Sequence, residues 1–155
     1  MNKAALRVGV DKEKSKRDYG KIVLIGKGND DIDFHNIHER LNFNYLNTIG
    51  KLSIRKLAAL LERCTVLISC DSGPVHVATA VGTPCIVLFS GTNNLKQWGP
   101  FNNNVNRVIY KDVECSPCEM RICPRNTHLC MDQIKLEDVL LELDILSERV
   151  KNIVK

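Results

Sequence analysis

Four short apolar runs punctuate a largely polar chain: Lys21–Gly26, Cys64–Cys70, Pro84–Ser90 and Asn106–Tyr110. Each is apolar at consecutive positions and rich in β-branched residues, which is how a strand buried on both faces reads. Leu6–Val10 is a weaker candidate strand, and residues 47–53, NTIGKLS, read as a short extended segment followed by a turn. Between the runs the pattern changes to a helical period. Ser53 stands where an N-cap belongs, before Ile54, Leu57, Ala58 and Leu61 on one face. Asn29–Asn42 carries Ile32, Ile37 and Leu41 at helical spacing, and Pro74–Val81 reads as a short helix. From Lys135 to about Val154, Leu136, Val139, Leu140, Leu143, Leu146, Val150 and Ile153 form the apolar stripe of a long amphipathic helix.

Buried strands alternating with helices imply a parallel sheet covered on both faces, so the expected class is α/β, Rossmann-like. No linker or internal repeat interrupts the pattern, and one domain over residues 1–155 is expected. Residues 1–20 are its polar start, and 112–130 form a cysteine-rich loop.

Composition narrows the function classes. The chain is 44% hydrophobic and 26% charged, an ordinary globular balance. The net charge is +4, and Lys12, Lys14, Lys16 and Arg17 read as a solvated basic face. Aromatics reach only 5% and are not interleaved with basic residues, which argues against a nucleic-acid partner. No run approaches the ~20 apolar residues of a membrane span, and no signal-peptide core is legible. A cytosolic protein without a secreted disulfide framework is therefore expected, consistent with an odd number of cysteines, seven.

The chemistry concentrates after the second strong strand, at Cys70-Asp71-Ser72-Gly73-Pro74-Val75-His76. Ligands of open α/β sheets bind beyond the carboxyl ends of strands. Pro74 suits the start of a helix, where its missing N–H costs nothing. With Gly73 as the cap, the amides of Val75 and His76 are expected to be free for an anion, with Ser72 adding a hydroxyl and His76 facing the same ligand. Asp71 repels a bare phosphate but suits a ligand that also offers hydroxyl groups, as a sugar does. The competing reading is that Asp71 and Ser72 only cap the helix while His76 is packed or solvated. Spacing alone does not choose between them.

The run Asp71-Ser72-Gly73-Pro74-Val75-His76-Val77-Ala78, then Ala80, Gly82-Thr83-Pro84, a strand and Ser90-Gly91-Thr92, resembles the signature of glycosyltransferase family 9. These are the ADP-heptose:lipopolysaccharide heptosyltransferases. Trp98-Gly99-Pro100, the downstream cysteines and Gly50-Lys51-Leu52-Ser53 fit the same resemblance, which covers roughly Lys21 to Val150. It implies a Rossmann-like domain corresponding to the C-terminal, donor-holding half of a two-domain GT-B enzyme acting in lipopolysaccharide core biosynthesis. It further implies that Asp71 meets sugar hydroxyls, that Ser72, Gly73 and His76, beside Pro74, hold the pyrophosphate, and that Leu52 lies against adenine. Asp30 or Asp31 would meet the ribose hydroxyls.

The chain departs from that pattern in lacking an acceptor domain, its general base and the lysine-rich opening of the donor domain. No catalytic residue is assigned to it. On this reading its partners are an ADP-heptose-like nucleotide sugar and an acceptor domain or separate chain, with the inner membrane reached only through the acceptor. It is expected to bind an ADP-type ligand weakly, without a cofactor or divalent ion, and to transfer no sugar alone.

Cys115, Cys118, Cys123 and Cys130 are two close pairs that would suit a tetrahedral structural zinc, or are simply reduced loop thiols. Cys64, Cys70 and Cys85 read as core. The rival functional class is a non-catalytic module that binds a nucleotide or a partner, with or without that zinc.

Overall fold

The computed structural model describes residues 21–27, 44–101, 104–120, 122–123, 125 and 127–153. The strands are β1 (Ile22–Leu24), β2 (Tyr45–Asn47), β3 (Leu67–Cys70), β4 (Cys85–Phe89) and β5 (Arg107–Tyr110). The helices are α1 (Ile54–Glu62), α2 (Gly73–Ala80), α3 (Leu95–Trp98), α4 (Leu129–Asp132) and α5 (Leu136–Ile153). The expected strand at Leu6–Val10 and helix at Asn29–Asn42 lie outside the described residues, as do the side chains of Val150 and Ile153.

All the pairing is parallel. β1 pairs with β2, and β3-β4-β5 form a second sheet in that order. The sequence pattern predicts one continuous sheet. Among the described residues the ladder is instead two sheets, joined through side chains: Ile25, just past β1, packs into the cluster that covers β3 and β4.

The pleat sorts the apolar runs onto two faces. Leu67, Cys85, Val87 and Phe89 pack with Leu61 of α1 and with Val75 and Ala78 of α2. Their chain neighbours Ile68, Ile86 and Ile109 point the other way and pack with Leu143 and Leu146 of α5. Of the α5 stripe, Val139 joins this second cluster while Leu136 is exposed. Ion pairs from Arg107 to Glu142 (3.3 Å) and from Lys111 to Asp138 (2.9 Å) flank the packed face. Asp138 also accepts the Lys135 amide (3.0 Å), and that bond, then Lys111, lowers its carboxyl pKa.

Ser53 caps α1 as predicted, its Oγ accepting the Lys56 amide. Two buried polar side chains then tie the layers together. Asn106 receives the Cys85 amide on Oδ1 (2.9 Å) and donates through Nδ2 to the Phe101 carbonyl (2.7 Å), joining β4 to the start of β5. The Thr83 hydroxyl donates to the Leu61 carbonyl (2.7 Å), fixing the end of α1 on the turn before β4. Thr83→Val keeps the shape and removes one of the two hydrogen bonds to that carbonyl, which still accepts the Cys64 amide (2.8 Å). It is expected to cost about 1 kcal/mol, read from the midpoint of urea unfolding with an unchanged slope. Among the described residues no helix is long and apolar enough to cross a membrane.

Candidate functional site

β3 and β4 leave the sheet through adjacent polar turns, Asp71-Ser72 and Ser90-Gly91-Thr92, and both turns line a cavity of about 690 Å³. That volume suits a small-molecule ligand. One wall is apolar, built from Ile25, Leu52, Ile54, Leu57 and Val77. Facing it are residues of the cysteine-rich loop, among them Cys115, Cys118, Met120, Arg125 and His128.

The orientation of α2 decides which of its residues reach the ligand space. Val75 and Ala78 are buried against the sheet, and a helix turns about 100° per residue. Gly73, Pro74 and Val77 consequently fall on the cavity side, while His76 is exposed and stands outside the lining. The structure thus gathers Asp71, Ser72, Gly73, Pro74 and Leu52 around one space and turns the expected ligand-facing His76 away from it. Asp30 and Asp31 lie outside the described residues.

The first turn of α2 also differs from expectation. The N-cap is Ser72, not Gly73, and its side chain makes no capping bond. The Val75 amide, expected to be free, donates to the Ser72 carbonyl (3.0 Å). The Ser72 hydroxyl turns back onto the strand end, 3.2 Å from the Cys70 carbonyl and 3.0 Å from the Ser69 hydroxyl. The open feature is Gly73: a Cβ there would meet nothing within 4 Å. The backbone of the turn is therefore open to the cavity at this residue.

Asp71 does not cap the helix either. The Ser90 hydroxyl (3.1 Å) and the Asn93 side-chain amide (2.8 Å) both donate to its Oδ2. Two donors on one oxygen fix the carboxylate and leave the acceptor capacity of the other. Sequence reading singled out Ser90 within a motif and missed Asn93; both are polar residues just past a strand, a signal that becomes specific only once β3 and β4 are paired.

The cysteine-rich loop is fastened to the second turn. The amides of Cys118 and Glu119 donate to the carbonyls of Gly91 and Thr92, each at 2.9 Å. Gly91 has no room for a side chain, since a Cβ would collide with the Ser116 hydroxyl and come within 3.0 Å of Cys130 Cβ. Cys130 lies in α4, and Cys123 donates its thiol to the Thr127 carbonyl (3.6 Å). All four thiols line the same cavity. Among the described residues no three His, Cys, Asp or Glu side chains are grouped to hold a metal ion.

Of the other cysteines, Cys85 is fully buried and burial pushes its thiol up to about 12. Burial also raises Cys64, whose thiol donates to the Leu60 carbonyl (3.3 Å). Cys70, expected in the core, lines the cavity instead because it ends β3. Arg125 pairs with Glu114 (3.3 Å), which raises the guanidinium pKa, with the nearby Cys115 adding to the effect.

The model of glycosyltransferase family 9 (heptosyltransferase) matches residues 12–128. Lipooligosaccharide heptosyltransferase 2 of Campylobacter jejuni subsp. jejuni serotype O:6 is 29% identical over 131 residues, covering 82% of this chain and 41% of the relative. The chain therefore spans about two fifths of that relative's length. Among solved structures, a glycosyl transferase family 9 protein from Veillonella parvula superposes with a TM-score of 0.70 at 26% identity, over 81% of this chain and 36% of the other. The E. coli ADP-heptose lps heptosyltransferase II shares the fold, with a TM-score of 0.66 at 24% identity over 84% of this chain and 37% of its own. With a family match over most of its length, the chain belongs to glycosyltransferase family 9.

Proposed function

We propose that the cavity beyond β3 and β4 holds the nucleotide-sugar donor, of the ADP-heptose type, of a heptosyltransferase-like enzyme of lipopolysaccharide core biosynthesis. On this reading residues 1–155 form one donor-binding domain. It works in the cytoplasm and meets the membrane only through its acceptor. The observation that carries the reading is the pairing of Asp71–Gly73 with the apolar wall around Leu52 in one space.

The two halves of the cavity suit the two halves of such a ligand. A flat base is stabilised by burial against Leu52, Ile54 and Leu57. Asp71, held by Ser90 and Asn93, keeps acceptor capacity on its second oxygen for sugar hydroxyls. Gly73 opens the first turn of α2, where an unsatisfied amide and the positive end of the helix favour phosphate oxygens. Pro74, next in the turn, has no N–H to lose.

Gly73→Leu tests the reading. A Cβ at this position has open space beyond its chain neighbours, while a side chain directly before Pro74 disfavours the helical backbone, so some loss of stability is expected and is read separately from urea unfolding. The side chain occupies the ligand space and weakens ADP at least roughly tenfold, a change of about 1.4 kcal/mol. Calorimetry with ADP, with and without a chelator, gives the readout. Binding to the unsubstituted chain in both conditions is expected. Equal affinity of Gly73→Leu, or no binding of the unsubstituted chain at millimolar ADP, would sink the proposal.

A further inference from the structure

Arg125 stands in the cavity wall with a partner that it holds weakly. Its Nη2 donates to Glu114 Oε2 at 3.3 Å, with the Arg125 side chain 43% exposed and that of Glu114 88% exposed. An exposed pair of this kind contributes little to stability, because water and salt compete for both charges. A guanidinium offers five N–H donors in a planar fork, so a single contact leaves capacity for a second, better-matched anion.

The surroundings favour that exchange. Arg125, Lys27 and His128 line the same cavity as Gly73, and the one carboxylate among its lining residues, Asp71, already accepts two hydrogen bonds. The loop that carries Arg125 is bonded to Gly91 and Thr92, in the turn whose Ser90 and Asn93 hold Asp71. Cation and carboxylate are thus anchored to one turn. Phosphate oxygens match the guanidinium fork in a bidentate way and carry more charge than one exposed carboxylate.

We propose that Arg125 is a ligand-binding residue that exchanges Glu114 for the phosphate oxygens of the bound nucleotide, with Glu114 keeping the site closed to weaker anions. This rests on the nucleotide reading of the cavity and adds to it the cation that positions the diphosphate. It also gives the cysteine-rich loop a task, as the scaffold that presents Arg125.

Calorimetric titration of the 155-residue chain and of R125Q and E114Q with ADP, and separately with adenosine, tests the exchange. R125Q should weaken ADP roughly 10- to 100-fold, the worth of a charge-assisted hydrogen-bond pair, and leave adenosine unchanged. E114Q, with the competing carboxylate removed, should bind ADP up to about fivefold more tightly. Unchanged ADP affinity in R125Q would overturn the proposal. So would an equal loss of adenosine, which marks a structural role, or weaker ADP binding by E114Q. If the unsubstituted chain binds neither ADP nor adenosine, the nucleotide reading itself fails and this proposal falls with it.

Discussion

Phe89→Ala is expected to remove about 3–5 kcal/mol of stability, enough to leave little of a typical domain's 5–15. Phe89 ends β4, the middle strand of its sheet, and is 0% exposed. Its ring packs edge-on to Tyr110, with centroids 6.1 Å apart and planes at 70°, and shares a cluster with Val75 and Ala78 of α2. Truncation removes a large buried surface and leaves a void that the paired strands on either side prevent from collapsing. The same residue supports the candidate site from below, because Ser90 follows it directly. ADP affinity should fall along with the unfolding midpoint. Leu46→Ala, at a site 58% exposed, is the control and should stay within about 0.5 kcal/mol. A loss below about 1 kcal/mol for Phe89→Ala would contradict the packing described.

Gly91→Val should cost about 1–3 kcal/mol and free the cysteine-rich loop from the cavity. The added Cβ collides with the Ser116 hydroxyl and crowds Cys130. Rotation of the Ser116 hydroxyl relieves the nearest contact, while the 3.0 Å approach to Cys130 Cβ in α4 is left for the loop and helix to absorb by shifting. The loop should lift, taking Arg125 from the wall and exposing the half-buried thiols of Cys115, Cys118 and Cys130. Thiol-specific labelling at neutral pH reports this: faster labelling of those three is expected, with Cys85 still protected in its strand. Unchanged labelling kinetics would mean that the loop does not depend on the bare backbone at residue 91.

The apolar runs and cap chemistry determined most of the local structure. Consecutive β-branched residues in the segments that became β3 and β4 have no stable place except between two layers, and Ser53 starts α1 because its hydroxyl satisfies an amide that the helix itself leaves unpaired. The emergence of a polar Asp-Ser-Gly-Pro at the sheet edge was legible for the same reason, since it follows a buried strand. Family membership was legible through that motif. Which side chains line the cavity was decided only in three dimensions. The seating of Val75 and Ala78 on the sheet sets the rotation of α2, and that rotation carries His76 outward. The parallel pairing of β3 with β4 brings Ser90 and Asn93 to Asp71 across about twenty residues of chain, a contact with no local signature. Cysteine spacing likewise specifies which thiols are near one another along the chain, but that all four line one cavity follows from the docking of their loop on the turn at Gly91 and Thr92. Hydrophobic periodicity and capping act over a few residues and are written locally; the facing of a site depends on packing between distant segments, and that is settled only when the layers close.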